Sequence, residues 1–356
     1  MKSMLRIVFT TFVLAGILVA CSAPSGASQQ DAVNTAVAQT QQVQNMVQAT
    51  MNANALTSMP PTATPGAPVE YTTMTEEELT ALIDQAVSEA VTATEQTTSA
   101  VATTTSDGTM TQDEVTYVYS YYNTAYDAVA QAEQLANEYY SLYADLANEM
   151  ITAMNGIQSE LNQMNSTLSA INTSLTEINN TLSQGLALAQ DTINQLNAAA
   201  QQAQTQAEAL KAKSQDLKGT LQTDQQNRLN QISQIQPNNI PTDRAAALQS
   251  GFQFIDAANA AMGDNKLSRD ELMNLAQLGA NAQAGFQNFG GPGGAAGGPD
   301  LSQFTGKFNE ITTQFARGQM PQARGNLDTF ERSLGQRPGG GGGPGAPGGG
   351  GNGPRH

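Results

Sequence analysis

From Met150 onward the chain places an apolar residue at alternating steps of four and three: Met150, Met154, Ile157, Leu161, Met164, Leu168, Ile171, Leu175, Ile178 and Leu182. That is a heptad seam, an apolar stripe along one α-helix, with leucine mostly at a and isoleucine or methionine at d. A strand, whose side chains alternate from face to face, has no use for such an order. One step of four leads to Leu186, after which the alternation resumes through Ala189, Ile193, Leu196, Ala200, Ala203, Ala207, Leu210, Ser214, Leu217 and Leu221. Two consecutive steps of four make a stutter, which unwinds a supercoil locally without ending it. Gly156, Gly185 and Gly219 each cost about 1 kcal/mol relative to alanine inside a helix, yet the seam keeps phase across Gly156. The pattern therefore predicts a single helix over 112–236, on the order of 190 Å long if unbroken.

A stripe of this length has to be covered. Leucine at a with isoleucine at d turns parallel assemblies from dimers towards trimers or tetramers. The flanking positions, such as Asn165, Thr167, Asn172, Ser174, Asn179 and Thr181, carry no charge that would fix register or orientation. The leading expectation is a homo-oligomeric rod, or a rod docked on another envelope protein. The competing layout is an intramolecular bundle in which helices over 30–57 and 76–104 fold back on the long one. Composition suits either: the chain is 39% hydrophobic, 5% aromatic and has no Trp, which favours long helices over a thick core.

The flanking segments read as shorter helices, which makes the fold class all-α: a long coiled-coil rod flanked by short helices and C-terminal helical hairpins, with disordered linkers and tail. Residues 30–107 hold two amphipathic helices separated by the prolines at 60–68. The second opens on the capping box Thr75–Glu78 and is expected to fray in the Thr-rich run 97–105. Thr111 with Glu114 opens the long helix over 108–236 in the same way. Pro237 and Pro241 stop it. A helical hairpin over 242–286, a Gly/Pro linker over 287–300 and a second hairpin over 301–336 follow, and the glycine-rich tail 337–356 is expected to be disordered.

Charge is segregated. Between Ile7 and Leu210 there is no Lys or Arg but there are twenty Asp and Glu; from Lys211 onward thirteen basic residues meet eleven acidic ones. The net charge of −16 thus sits on the N-terminal half, a surface that repels phosphate backbones and makes nucleic acid a poor partner. The one histidine is His356 and the one cysteine Cys21, so His-based triads, cysteine proteases and His/Cys zinc sites are excluded. No catalytic residue is assigned and no enzyme is expected. Eight of the nine tyrosines lie between Tyr117 and Tyr143. Tyr117, Tyr121, Tyr122, Tyr139 and Tyr140 are the candidate binding face, suited to stacking on glycan rings or anchoring a partner. The alternative is that they are a packing face for the helix over 76–104.

Two segments resemble known families. Asp264-Asn265-Lys266-Leu267-Ser268-Arg269-Asp270-Glu271 is similar to the closing half of an EF-hand calcium loop, with Glu271 at position 12 and Asp264 at position 5. Ala260 and Met262 would fall on positions 1 and 3 without a side-chain oxygen, and Asn265 replaces the glycine at 6. The resemblance implies at most weak calcium binding through Asp264, Ser268 and Glu271. At the other end, Lys2 and Arg6 precede an uncharged stretch from Ile7 to Ala20, which ends in Leu18-Val19-Ala20-Cys21. This resembles the lipobox of bacterial lipoproteins.

That resemblance implies cleavage after residue 20, a diacylglycerol on Cys21, a flexible tether over 21–29 and lipid anchoring on the exported side of a bacterial cell membrane or outer membrane. Ser22 is not the aspartate that marks inner-membrane retention in diderm bacteria, and the C-terminal lysine of murein-linked members is absent. No cofactor beyond the lipid is expected. The expected function is a lipid-anchored scaffolding stalk; an adhesin or ligand-binding lipoprotein and a calcium sensor are the alternatives.

Overall fold

Two of three breaks turn the expected rod back on itself. The structure, a computed structural model of the chain, describes residues 70–291 and 300–335. The segments expected to be a signal peptide, a tether from Cys21, a helix over 30–57 and a proline linker, with most of the 287–300 stretch and the segment 337–356, lie outside the described residues. Helix α1 spans Glu76–Thr104, α2 Gln112–Tyr143, α3 Asn148–Ser183 and α4 Gln190–Ser214. Each packs on the next, and α4 closes on α1, the up-down-up-down arrangement that short connections favour. Among the described residues every regular element is helical. The all-α class holds, with long helices along the seam; α3 alone is about 54 Å long.

The seam residues do what their spacing requires. Met150, Met154, Ile157, Leu161, Met164, Leu168, Ile171, Leu175 and Ile178 are all fully buried, as are Leu196, Ala203, Ala207 and Leu210 on α4. Their cover comes from within the chain: α2 and α4 flank α3. The single helix over 112–236 is therefore corrected to four, α2 to α5, with interruptions at 144–147, 184–189 and 215–216.

The physical reason differs between the breaks at 184–189 and 144–147. At 184–189 it is local. Gly185 takes φ +68, its N–H donates to Leu182 O at 2.9 Å, and Leu186 N–H donates to Thr181 O at 3.1 Å. These are the two bonds of a Schellman ending, which needs a left-handed residue that glycine supplies at no steric cost. The stutter at Leu186 is the trace of this turn. At 144–147 no Gly or Pro is present, and the reason lies elsewhere in the fold. The fraying expected at 97–105 does not occur. Thr97 and Thr104 are buried, and their hydroxyls donate to the carbonyls of Ala93 and Ala100, both at 2.9 Å, so β-branching is offset by packing and back-bonding.

Beyond α4, α5 (Leu217–Ser233) lies across the starts of α1 and α3. Helices α6 (Arg244–Ala261), α7 (Arg269–Phe289), α8 (Thr305–Ala316) and α9 (Met320–Leu334) form the two hairpins expected. The hairpins share one core: Phe308 meets Phe254, Phe286 and Phe330 edge-on, with ring centroids 5.2, 5.0 and 5.0 Å away. Gly251 lies so close to Phe286 that a Cβ there would sit 2.9 Å from the ring.

Candidate functional site

Among the described residues charge is buried at one place, where the α2–α3 turn, the start of α1 and helix α5 converge. Glu76, the first residue of α1, Asp224 and Arg228 are fully buried. Arg228 Nη2 meets Glu76 Oε2 at 2.5 Å and its Nη1 lies 3.1 Å from Asp224 Oδ2. Asp224 and Arg228 sit one turn apart on α5, so a single helix face brings both in. Tyr139 of α2 donates its hydroxyl to Glu76 Oε1 at 2.7 Å. Tyr143, a turn further on, donates to Met74 O at 3.1 Å or Gly318 O at 3.3 Å.

The α8–α9 turn closes the cluster. Gly318 has φ +66, its carbonyl accepts from Glu76 N–H at 3.0 Å, and a Cβ on it would lie 2.5 Å from Glu76. Only glycine fits there, by conformation and by space.

Asp224 has a second task. Its Oδ1 accepts from the backbone N–H of Asn148 and Glu149, at 3.2 and 3.3 Å. Those are the first two residues of α3, whose own N-cap is Ala147, with no side chain to offer. A helix start leaves N–H groups without partners, and here the cap comes from a residue 76 positions away. Arg269 N–H, donating to Asp145 O at 3.0 Å, ties α7 to the same turn. This explains the break at 144–147.

The electrostatics follow from the burial. Desolvation, reinforced by the neighbouring Glu149 and opposed by Arg228, pushes the Asp224 carboxyl up to about 7. Glu149 moves the other way, held below the usual carboxylate range by its hydrogen bond to Asp224 and by further hydrogen bonds and the Arg269 charge, with partial burial opposing. Burial alone would lower Arg228, but the Glu76 carboxylate beside it, with Asp224, outweighs that and raises it. Tyr139 and Tyr143 are raised by desolvation first and by Glu76 second. The shifts of Arg228, Tyr139 and Tyr143 keep the guanidinium charged and both phenols neutral.

The expected binding face does not assemble. Tyr122 packs in the bundle core and Tyr139 belongs to the charge cluster. Tyr140, half-buried, donates to Asn155 Oδ1 at 2.8 Å. Only Tyr117 and Tyr121 stay together at the surface, rings 5.0 Å apart and edge-on. Tyr117 is 49% exposed. They border a groove of about 290 Å³ between α1 and α2, lined also by Thr92, Glu95, Gln96, Ser99 and Thr103. A second groove, of about 460 Å³, lies among α5, α7 and α8, lined by amides such as Gln226, Asn230, Gln283 and Asn309 beside Leu229 and Phe308.

The calcium candidates are used for folding. Ser268 caps α7, and its N–H and hydroxyl both donate to Glu271 Oε2, at 2.8 and 2.7 Å. Asp264 Oδ1 accepts from Lys266 N–H at 3.0 Å in a turn that puts Asn265 at φ 61. Among the described residues no three His, Cys, Asp or Glu side chains gather as a metal site.

The charge cluster escaped the sequence reading, although a signal existed. Continuing the seam beyond Leu217 and Leu221 by steps of three and four reaches Asp224 and Arg228. Charged residues in a seam register read as the end of the stripe, whereas here they are its buried continuation. No family model, curated protein sequence or solved structure matches the chain.

Proposed function

We propose that this protein is a lipid-anchored structural protein of the bacterial envelope, held to the membrane through Cys21 and presenting a helical bundle on the exported side. The observation that carries the reading is the run Leu18-Val19-Ala20-Cys21 behind the basic residues Lys2 and Arg6. A single acyl chain binds a membrane only marginally, so a diacylated cysteine is what makes such an anchor durable. Two further features support it. No helix among the described residues is long and apolar enough to cross a membrane. The charge cluster is closed to solvent, which suits bracing better than turnover. The bundle's seam is covered by its own helices, so a scaffolding role does not depend on a second copy to bury it.

The experiment is metabolic labelling with a palmitate analogue in a bacterial host, followed by membrane fractionation. Label on the wild type, and its loss with release from the membrane on Cys21→Ala, is expected. An unlabelled wild type, or a Cys21→Ala variant that stays membrane-bound, overturns the reading.

A second reading, ligand binding on the exported surface, is favoured by the Tyr117–Tyr121 groove. An exposed aromatic pair beside hydroxyls, an amide and the Glu95 carboxylate is the chemistry that holds a saccharide. Glycan-array binding that disappears in Tyr117→Ala/Tyr121→Ala supports it, and an array without signal removes it.

A further inference from the structure

Asp224 and Glu149 meet at the start of α3, where Asp224 Oδ1 accepts from Glu149 N–H at 3.3 Å, and their carboxyl groups interact side by side. Each also keeps one buried oxygen, Asp224 Oδ2 and Glu149 Oε2, with no hydrogen-bond donor. The other oxygens are taken: Asp224 Oδ1 by the α3 backbone, Glu149 Oε1 by Asn227 Nδ2 at 2.9 Å. Arg228 Nη1, although 3.1 Å from Asp224 Oδ2, does not point a hydrogen at it. Two ionised carboxylates offer no donor to one another. One proton between them satisfies both free oxygens at once.

We propose that Asp224 and Glu149 share a single proton, and that this proton sets how firmly α5, and with it the C-terminal helices, is docked on the four-helix bundle.

The groups around the pair make the proton necessary. From α1 comes Glu76, from α2 Tyr139 and Tyr143, from α5 itself Arg228, and from α7 the charge of Arg269 acting on Glu149. Both phenols are neutral. Without the proton, Asp224 and Glu149 would stand ionised side by side, while Arg228, the one buried cation among the described residues, is already paired with Glu76. With it, the Glu76–Arg228 pair is matched, and Asp224 remains free to cap α3. On undocking, the Asp224 carboxyl re-enters water, ionises and releases the proton to solvent.

The sign of the pH response follows. The docked state binds a proton that the undocked state gives up, and Asp224 is raised to about 7 from the 3.8 of an ordinary aspartate. Docking is therefore tightest in acid and weakens about tenfold per pH unit as pH rises towards 7, then levels off. Glu149 is shifted the other way, downward, by its hydrogen bond to Asp224 first.

The test is hydrogen exchange of the α5 amides in the full chain between pH 5 and pH 8, corrected for the intrinsic pH dependence of exchange. In the wild type, protection should fall about 50-fold from pH 5 to pH 7 and only about twofold more above that. Asp224→Asn supplies an amide donor to Glu149 and an acceptor to the α3 backbone but cannot titrate, so its protection should not vary with pH. In parallel, infrared spectra of the wild type at pH 6 should contain a protonated-carboxyl band that Asp224→Asn lacks. Should that variant not fold, Glu149→Gln decides the matter in its place: its amide donates to Asp224, and the fall in protection should move to lower pH. Wild-type protection without a pH slope, a slope that survives Asp224→Asn or is unmoved in Glu149→Gln, or the absence of the carboxyl band overturns the proposal.

Discussion

The two ends of the four-helix bundle are closed by different means. At the far end, near residues 105–111 and 184–189, the backbone is closed by local devices, and the longer-range bonds, such as Thr105 Oγ1 donating to Asn197 Oδ1 at 2.7 Å, stay within the four-helix bundle. Thr111 and Glu114 form a capping box, Asp107 Oδ1 accepts from Thr109 N–H at 2.9 Å in a tight turn, and Gly185 ends α3 within its own segment. At the near end the local devices, such as the Thr75–Glu78 capping box of α1, are joined by long-range ones. The α2–α3 turn is held by Asp224 and Arg269, and α1 begins against Gly318 and Arg228, 152 residues from Glu76. One end forms as its helices form. The other is complete only when the C-terminal helices arrive, so the near end couples the two halves of the unit and the far end does not.

The largest effect expected from breaking that contrast comes from Arg228→Ala. Removing one partner of a buried pair strands the other charges, at a cost of about 3–5 kcal/mol. Urea unfolding of the full chain should report the loss, and the deficit should be larger at pH 8 than at pH 5, because protonation of a stranded buried carboxyl relieves it in acid. Leu168→Ala, in the seam, supplies the control: a packing loss with no pH dependence. Equal deficits for Arg228→Ala at both pH values would mean that the cluster is packed rather than charged in its effect.

Next comes pH itself. Asp224 is raised in the folded state, so its contribution is fully present below about 4 and is lost as pH climbs to about 7. Between pH 5 and 7 that amounts to about 2 kcal/mol, a little under two pH units at about 1.4 kcal/mol each. Calorimetric melting at the two pH values measures it, and Asp224→Asn should remove most of the difference.

These two effects mark where the sequence stops being informative. The seam, the boxes at Thr75, Thr111 and Ser268 and the two C-terminal hairpins are all legible, because each is written in residues three or four apart. Gly185 and the stutter at Leu186 are also visible, but the continuity of the stripe masks the turn they make. The turn at 144–147 is not legible at all: Ala144-Asp145-Leu146-Ala147 carries no breaker, and the donor groups it frees are capped by Asp224, far along the chain. Helical spacing places the five candidate tyrosines correctly on α2 but cannot tell which neighbour each will meet. Tyr139 meets Glu76, whereas Tyr117 meets solvent.

Tyr139→Phe tests the near end more gently. It deletes one hydroxyl and leaves Glu76 Oε1 with only Arg228 Nη1, at 3.4 Å. A hydrogen bond to a charged group contributes about 1.5–3 kcal/mol, so a loss of about 2 kcal/mol is expected, read by thermal melting. Tyr122→Phe, a core tyrosine with no role in the cluster, should cost less.

The smallest effect should come from the far end. Thr111→Ala removes the acceptor for Glu114 N–H, at 3.3 Å, and the donor to Glu114 Oε2, at 2.8 Å. Loss of such a cap costs about 1 kcal/mol, and the change should stay where it is made. Hydrogen exchange should quicken over the first turn of α2, residues 112–116, and leave 144–149 as it was, because nothing at the near end bonds to Thr111. If protection at 144–149 fell as far as at 112–116, the bundle would open as one body. Its two ends could then no longer be treated as independent closures, one written locally and one delivered from the C-terminal helices.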